Sequence, residues 1–355
     1  MNINRISKNG EVEKYFKGLV ESELFDSTSL DRKKWRWKYA DNPFLFDGNL
    51  PSWAYYIDNK IVGHLGAIPV ELKTGFGKIR AAWAVDFITS PSYQKKGIGR
   101  ALVEEMSKNF DLILTVGQTD MSYNLFMKMG WKLLGFVPYY IKIWDAEVLI
   151  EEKVKNAFFA NLIVKPINLF LFFLNYFMKP KCSENINVSQ IVSFDKEVGR
   201  LWEEIAEFYE IIVPRNFAYL SWKFDAQPNM YYAKFKAVRN GKAVGYIITR
   251  TIKGNFSKPE GLIADIIVRP EDLEIIDSLM AAALLHLKKE NCSVVRFYIN
   301  NKIIEKAIKN NGFIKRRPFM RFLISKKIDT LEGIENLASW HLTVGDCDID
   351  RDSTP

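Results

Sequence analysis

The stretch SPSYQKKGIGRALVEEM, residues 90–106, sets two glycines one residue apart, behind two lysines and ahead of a helical pattern. An apolar run ending near Thr89 reads as a strand and Ile98 opens a helix. The loop therefore lies where a helix N-terminus offers unpaired backbone N–H groups and partial positive charge to phosphate oxygens. Gly97 and Gly99 let the backbone approach a pyrophosphate with no Cβ in the way, while Lys95, Lys96 and Arg100 add charge-assisted contacts. A dinucleotide fingerprint needs a third glycine where this chain has Leu102, and a P-loop needs Gly-Lys-Ser/Thr; neither is present. Two more residues are placed for chemistry. Asp86 sits inside the apolar run AVDFIT, where an ionised carboxylate is costly without a partner. His64 follows Gly63 on a half-buried strand, as a proton carrier or as a packed side chain.

The elements that position these residues occur twice. WKYADNP (37–43) recurs as WKFDAQP (222–228), and each copy is followed by a strand pair, YYIDNKIVGHLGAI and KAVRNGKAVGYIIT. AVDFITSP then matches IADIIVRP, setting Asp86 against Asp265 and His64 against Tyr246, and a helix closed by Gly130–Trp131 matches one closed by Gly312–Phe313. Four markers in one order indicate a duplicated domain of ordinary size. Val/Ile/Tyr-rich runs joined at Asn-Lys and Asn-Gly predict antiparallel strands. RALVEEMSKNF carries a helical stripe and DLILTVG reads as a buried strand. The fold class is α/β of the mixed-sheet, α+β kind.

The string VDFITSPSYQKKGIGRALVEEM, then DLILTVG and SYNLFMKMGWKLLG, resembles the acyl-CoA-binding core of the GCN5-related N-acetyltransferase (GNAT) superfamily. There a Gln/Arg-x-x-Gly-x-Gly/Ala loop wraps the coenzyme A pyrophosphate, a pattern that falls on Gln94, Gly97 and Gly99. The second half has EDLEIIDSL at this place; Glu271, Asp272 and Glu274 would repel a pyrophosphate. The resemblance thus implies two tandem GNAT-like domains: a working copy at 1–148, an apolar helical connector at 149–181, a degenerate copy at 182–328 and an acidic tail at 329–355. The Trp-Lys-Tyr…Asn-Pro segment and the WHLTVGDCDID tail are similar to acyltransferases associated with bacterial cell-surface polysaccharide loci.

The resemblance also implies a reaction. An amine attacks the thioester of acetyl-CoA, or of another acyl-CoA, without a covalent enzyme intermediate, and the acceptor is an amine such as an amino sugar. The carbonyl needs a backbone donor, which maps to the strand end at Phe87, Ile88 and Thr89; the ammonium needs a base, for which Asp86 and His64 are the candidates. The family's usual acid, a tyrosine four residues before the helix-ending glycine, is Phe126 here, leaving Tyr123 one turn earlier as the nearest substitute. A water chain in place of a base, and a structural role for Asp86 shared with Asp265, remain open readings. Two other functions stay in play: a Fem-like aminoacyl-tRNA-dependent transferase, and a non-catalytic acyl-CoA-binding module.

Composition bounds the rest. The net charge of +8 suits a phosphorylated cofactor, and no nucleic-acid-binding motif accompanies it. Cys182, Cys292 and Cys347 are far apart, arguing against a disulfide framework and for a reducing, cytoplasmic setting, and the polar N-terminus lacks a secretory apolar core. Asp346, Asp348, Asp350 and Asp352 lack the glycine and closing glutamate of a calcium loop, so no metal is expected. Trp35, Trp37 and Trp222 read as core or interdomain aromatics; Lys33, Lys34 and Arg36 read as a solvated face. The connector, 156–182, is interrupted at Lys165 and Pro166 and is too short in uncharged run to span a bilayer. Its aromatics surround the helix, which favours burial between the halves. The other placement is a membrane interface, with 156–178 making peripheral contact and Lys155, Lys165, Lys179 and Lys181 near headgroups. The oligomeric state has no sequence signal.

Overall fold

Tight turns at Asp58–Asn59 and Asn240–Gly241, all four at positive φ, join hairpins in both halves. The computed structural model describes residues 3–7, 12–25, 30–150, 157–253, 258–325 and 333–350; Lys155 and Asp352 lie outside them. The first half runs β1 (Ile3–Ser7), α1 (Val12–Glu21), α2 (Arg32–Tyr39), β2 (Asn49–Ile57), β3 (Lys60–Thr74), β4 (Gly77–Thr89), α3 (Ile98–Ser107), β5 (Leu112–Val116), α4 (Asp120–Lys128), β6 (Lys132–Phe136) and β7 (Tyr139–Ile143). A short α5 (Glu147–Ile150) and the long α6 (Ala157–Phe177) lead to the second half. That half runs β8 (Asn187–Ile191), α7 (Lys196–Ile205), α8 (Phe217–Leu220), β9 (Ala233–Arg239), β10 (Lys242–Ile252), β11 (Glu260–Val268), α9 (Leu273–Lys289), β12 (Val294–Asn300), α10 (Lys302–Asn310), β13 (Ile314–Arg316), β14 (Arg321–Ile324) and, in the tail, β15 (Leu342–Thr343).

Two mixed sheets result, ordered β1-β2-β3-β4-β5-β14-β6 and β13-β7-β12-β11-β10-β9-β8. Each contains one parallel pair, β4 with β5 and β11 with β12, among antiparallel neighbours. Neither sheet is built from one half alone. The last strand of each half crosses over: β7 lies between β12 and β13, and β14 lies between β5 and β6. The halves also meet through Trp37 and Trp222, whose rings stack 4.8 Å apart; each indole N–H donates to the other's backbone carbonyl, at 2.7 and 2.9 Å. The two copies of the repeated Trp-Lys motif thus recognise each other. Trp35 is a core residue, and Lys33 and Arg36 face solvent.

The connector departs from the expectation of burial. Val164 and Leu171 are buried, but Leu169, Phe170, Phe172, Phe173, Tyr176 and Phe177 are exposed. One face of α6 packs on β7, and the other carries aromatics outward, because only one side of the helix meets a sheet. Among the described residues no helix is long and apolar enough to cross a membrane.

Candidate functional site

The parallel pairing of β4 with β5 covers only Ala81–Trp83 against Leu112–Leu114; beyond it the strands part. At the parting, β4 bulges: two residues, Asp86 and Phe87, oppose Leu65 of β3, and Asp86 takes φ +50°. Two cavities open beside this bulge, and Phe87 and Ser122 line both.

The outer cleft, about 470 Å3, is walled by Phe87, Ile88 and Thr89, the loop residues Gln94, Lys95, Gly97, Ile98, Gly99 and Arg100, and α4. Gly97, at φ +84°, starts α3 with no side chain capping it, so the first turn presents its N–H groups to the cleft. Lys95 is also at positive φ, and Gln94 donates to the Thr89 carbonyl at 3.3 Å, tying the loop to the strand end. A Cβ on Gly99 would come within 3.1 Å of both Phe87 and Leu125, a tight contact that those side chains would have to yield to, so glycine suits this close approach of helix, strand and α4. Lys96 lies over the Tyr93 ring, 4.8 Å from its centroid.

The inner cavity, about 320 Å3, is bounded by the bulge, by the β5–α4 turn, by Arg296 and Tyr298 of β12, and by Asp348 and Ile349 of the tail. Lys38 bridges Asp86 at 2.7 Å and Asp348 at 2.9 Å, and the Tyr39 hydroxyl donates to the same Asp86 oxygen. Arg296 is paired with Glu260 at 2.7 Å. Two carboxylates thus meet one ammonium at this wall, which places polar, charged groups beside the bulge. Both polar atoms of the Gln118 carboxamide, shut away from solvent, bond to no protein atom among the described residues.

His64 has a different position from that of a free base. Its Nδ1–H donates to the Asp86 carbonyl at 2.9 Å, which leaves Nε2 to accept from Ser52 at 2.9 Å, and Tyr15 bonds Ser52 in turn. Both ring nitrogens are engaged in a site with 1% exposure, and burial pushes the imidazole pKa below its usual value. His64 therefore holds the bulge rather than reaching either cavity. Tyr123 lines neither cavity; its ring lies under the Arg321 guanidinium, 4.4 Å away. The side chain on α4 that does reach the junction is Ser122, 3.1 Å from the Thr119 hydroxyl. Ser122, Gln118 and Lys38 were missed in the sequence, although Lys38 recurs as Lys223 in the duplicated motif.

The family model described as acetyltransferase (GNAT) family matches residues 16–131, which span the bulge, the loop and α4. Over those residues the chain matches the GNAT family. Solved structures extend the likeness of fold across the chain. A GCN5-related N-acetyltransferase from Anabaena variabilis is 12% identical with a TM-score of 0.59, over 91% of this chain and 72% of that one. Saccharomyces cerevisiae N-myristoyltransferase with bound myristoylCoA is 10% identical with a TM-score of 0.56, over 91% and 82%. A probable N-acyltransferase from Enterococcus faecalis is 12% identical with a TM-score of 0.59, over 90% and 71%. No curated protein matches the chain.

The second half repeats the strand order of the first but fills its equivalent of the opening. Beyond their pairing, β11 and β12 also part, and the tail enters: β15 pairs with β12, and Gly345 packs against Ala264 and Asp265. Asp265 is fully buried and bound by Arg215, Thr343 and Tyr246. Helix α9 is capped by its own Asp272, whose carboxylate, with Glu274, pairs with Arg239. The tail aspartates are likewise taken by cations of the protein: Asp346 by Arg215, Asp348 by Lys38 and Asp350 by Lys223.

Proposed function

We propose that this protein transfers an acyl group from acyl-CoA to an amine by direct attack, with the cofactor in the outer cleft and the acceptor in the inner cavity. The observation that carries this reading is the meeting of the two cavities at Phe87 and Ser122, one beside an uncapped helix N-terminus and the other lined by the Asp86 and Asp348 carboxylates. The pyrophosphate lies on the N–H groups that follow Gly97, with Lys95 and Arg100 adding charge. Ser90 N–H bonds to Val62 of β3, so alternation along the strand turns the Thr89 N–H toward the cleft, where it can meet the thioester oxygen.

Asp86 attracts the acceptor's ammonium and takes its proton, as carboxylate or through water; Ser122 donates to the departing thiolate. The amide of Gln118 offers a donor and an acceptor together, which fits a hydroxyl-bearing acceptor such as an amino sugar. The acyl group is acetyl or a longer chain. The deciding experiment is calorimetric titration with acetyl-CoA and longer acyl-CoAs. One site per chain is expected, lost in Gly99→Glu, whose bulk and charge meet Phe87 and the pyrophosphate. Unchanged affinity in that variant would overturn the site, and absence of binding by any acyl-CoA would overturn the reaction.

A further inference from the structure

The apolar face of α6 has a use that acyl transfer does not require. Surface helices normally turn polar residues outward; here the order is reversed, and the reversal is pinned. Val164, Asn168, Leu171 and Asn175, at helical spacing, face the protein. Asn168 accepts from the Ala146 N–H at 2.7 Å and donates to Asp145 at 2.9 Å, and Asn175 donates to the Ile143 carbonyl at 2.9 Å. The helix spends its amides inward and leaves Leu169, Phe170, Phe172, Phe173, Tyr176 and Phe177 outside, at 51–78% exposure. At the burial typical of aromatics this is roughly 500 Å2 or more of apolar surface in one patch, as large as the patches that mark interaction sites.

Charge identifies what covers it. From Ala157 through Ser183 the chain has no acidic residue, and Lys165, Lys179 and Lys181 are all exposed. Strand β13 adds to this side. Ile314 and Arg316 pair with Ile141 and Tyr139, so they share the sheet face on which α6 packs, and both are exposed. An apolar helix face edged by cations, with no carboxylate on the helix itself, matches the boundary between acyl chains and anionic headgroups. We infer that α6 docks the protein on an anionic phospholipid surface, its aromatics entering the acyl boundary and its lysines meeting phosphates. The helix lies on the membrane and does not span it.

The test is flotation of the full-length protein with vesicles of phosphatidylcholine alone or mixed with phosphatidylglycerol. The chain is expected to float with the mixed vesicles and much less with phosphatidylcholine. The variant Phe170→Ser/Phe173→Ser/Phe177→Ser should lose flotation while keeping its thermal midpoint, circular dichroism and acyl-CoA affinity, since these rings are exposed. Absence of flotation with mixed vesicles, or undiminished flotation of the variant, would overturn the proposal; equal flotation with both vesicles would overturn the choice of an anionic surface. A wild-type dimer in sedimentation that the same substitutions dissociate, without flotation, would assign the face to a second copy instead. None of these readouts depends on the proposed acyl transfer.

Discussion

Asp86 and Asp265 occupy matching places in the two halves in different environments, and the proposed function gives them different tasks. Asp86 lines a cavity at 19% side-chain exposure, with Lys38 and Tyr39 on one oxygen; Asp265 has no exposure and is held by Arg215. Asp86→Asn is therefore expected to lower kcat/KM for the amine by about 100-fold or more, the lower range for a lost general base, with acyl-CoA affinity unchanged. Asp265→Asn should instead cost stability, about 3–5 kcal/mol, because it leaves a buried guanidinium short of charge. Denaturant melts beside steady-state kinetics separate the two; a stability loss in Asp86→Asn as large as that in Asp265→Asn would make both structural. Gln118 gives a third contrast. Gln118→Leu keeps the volume and removes both unpartnered polar atoms, so the acceptor's KM should rise about tenfold, equivalent to one lost hydrogen bond of about 1.4 kcal/mol, while the KM for acyl-CoA holds. An unchanged acceptor KM would remove Gln118 from the acceptor site.

At the scale of elements, the tail distributes three alternate aspartates over three cations, and the consequences of losing each differ. Asp346 and Asp350 face Arg215 and Lys223, at 0% and 1% exposure, so alanine at either should cost about 3–5 kcal/mol. Asp348 shares Lys38 with Asp86 at the cavity wall, so Asp348→Ala should cost about 1 kcal/mol and chiefly weaken the amine's binding. Equal destabilisation by all three would count against a role for Asp348 at the acceptor. This element also marks where sequence reasoning stops. The loop-to-helix boundary at Gly97 and the Asn-Lys and Asn-Gly turns were legible because their backbone conformation is set locally, and the duplication was legible because its markers repeat. The tail's insertion beside β12 was not, since Thr343 meets Asp265 only after the chain has returned across the molecule. The face of α6 was misread for another reason: with apolar residues on every side, periodicity gives no sign of which side meets protein. The two inward asparagines were the available signal.

For the whole molecule, the exchanged strands make the halves dependent on each other. Without β14 the first sheet has a gap between β5 and β6, and without β7 the second has one between β12 and β13. Each gap would leave rows of backbone N–H and C=O groups unpaired in a sheet interior, and Phe322 and Tyr140, both buried, would lose their surroundings. Unfolding should therefore occur in one calorimetric transition, with van't Hoff and calorimetric enthalpies agreeing, and residues 1–148 expressed alone should not reach the native fold. Two separated transitions would show that the interlocking is energetically unimportant. The same transition should respond to acid in a defined sense. Burial pushes the His341 pKa down to about 3, and His64 is shifted the same way. The unfolded chain takes up these protons near pH ~6.5 while the folded one does not, so stability falls as pH drops through that value. Asp346, whose pKa burial raises, opposes this only near the carboxylate range. Between about pH 7 and about pH 5, His341 alone should account for about 2 kcal/mol of lost stability. His341→Asn should flatten that part of the profile in denaturant melts, whatever it does to stability at neutral pH; an unchanged slope would show that His341 already exchanges its proton in the folded protein.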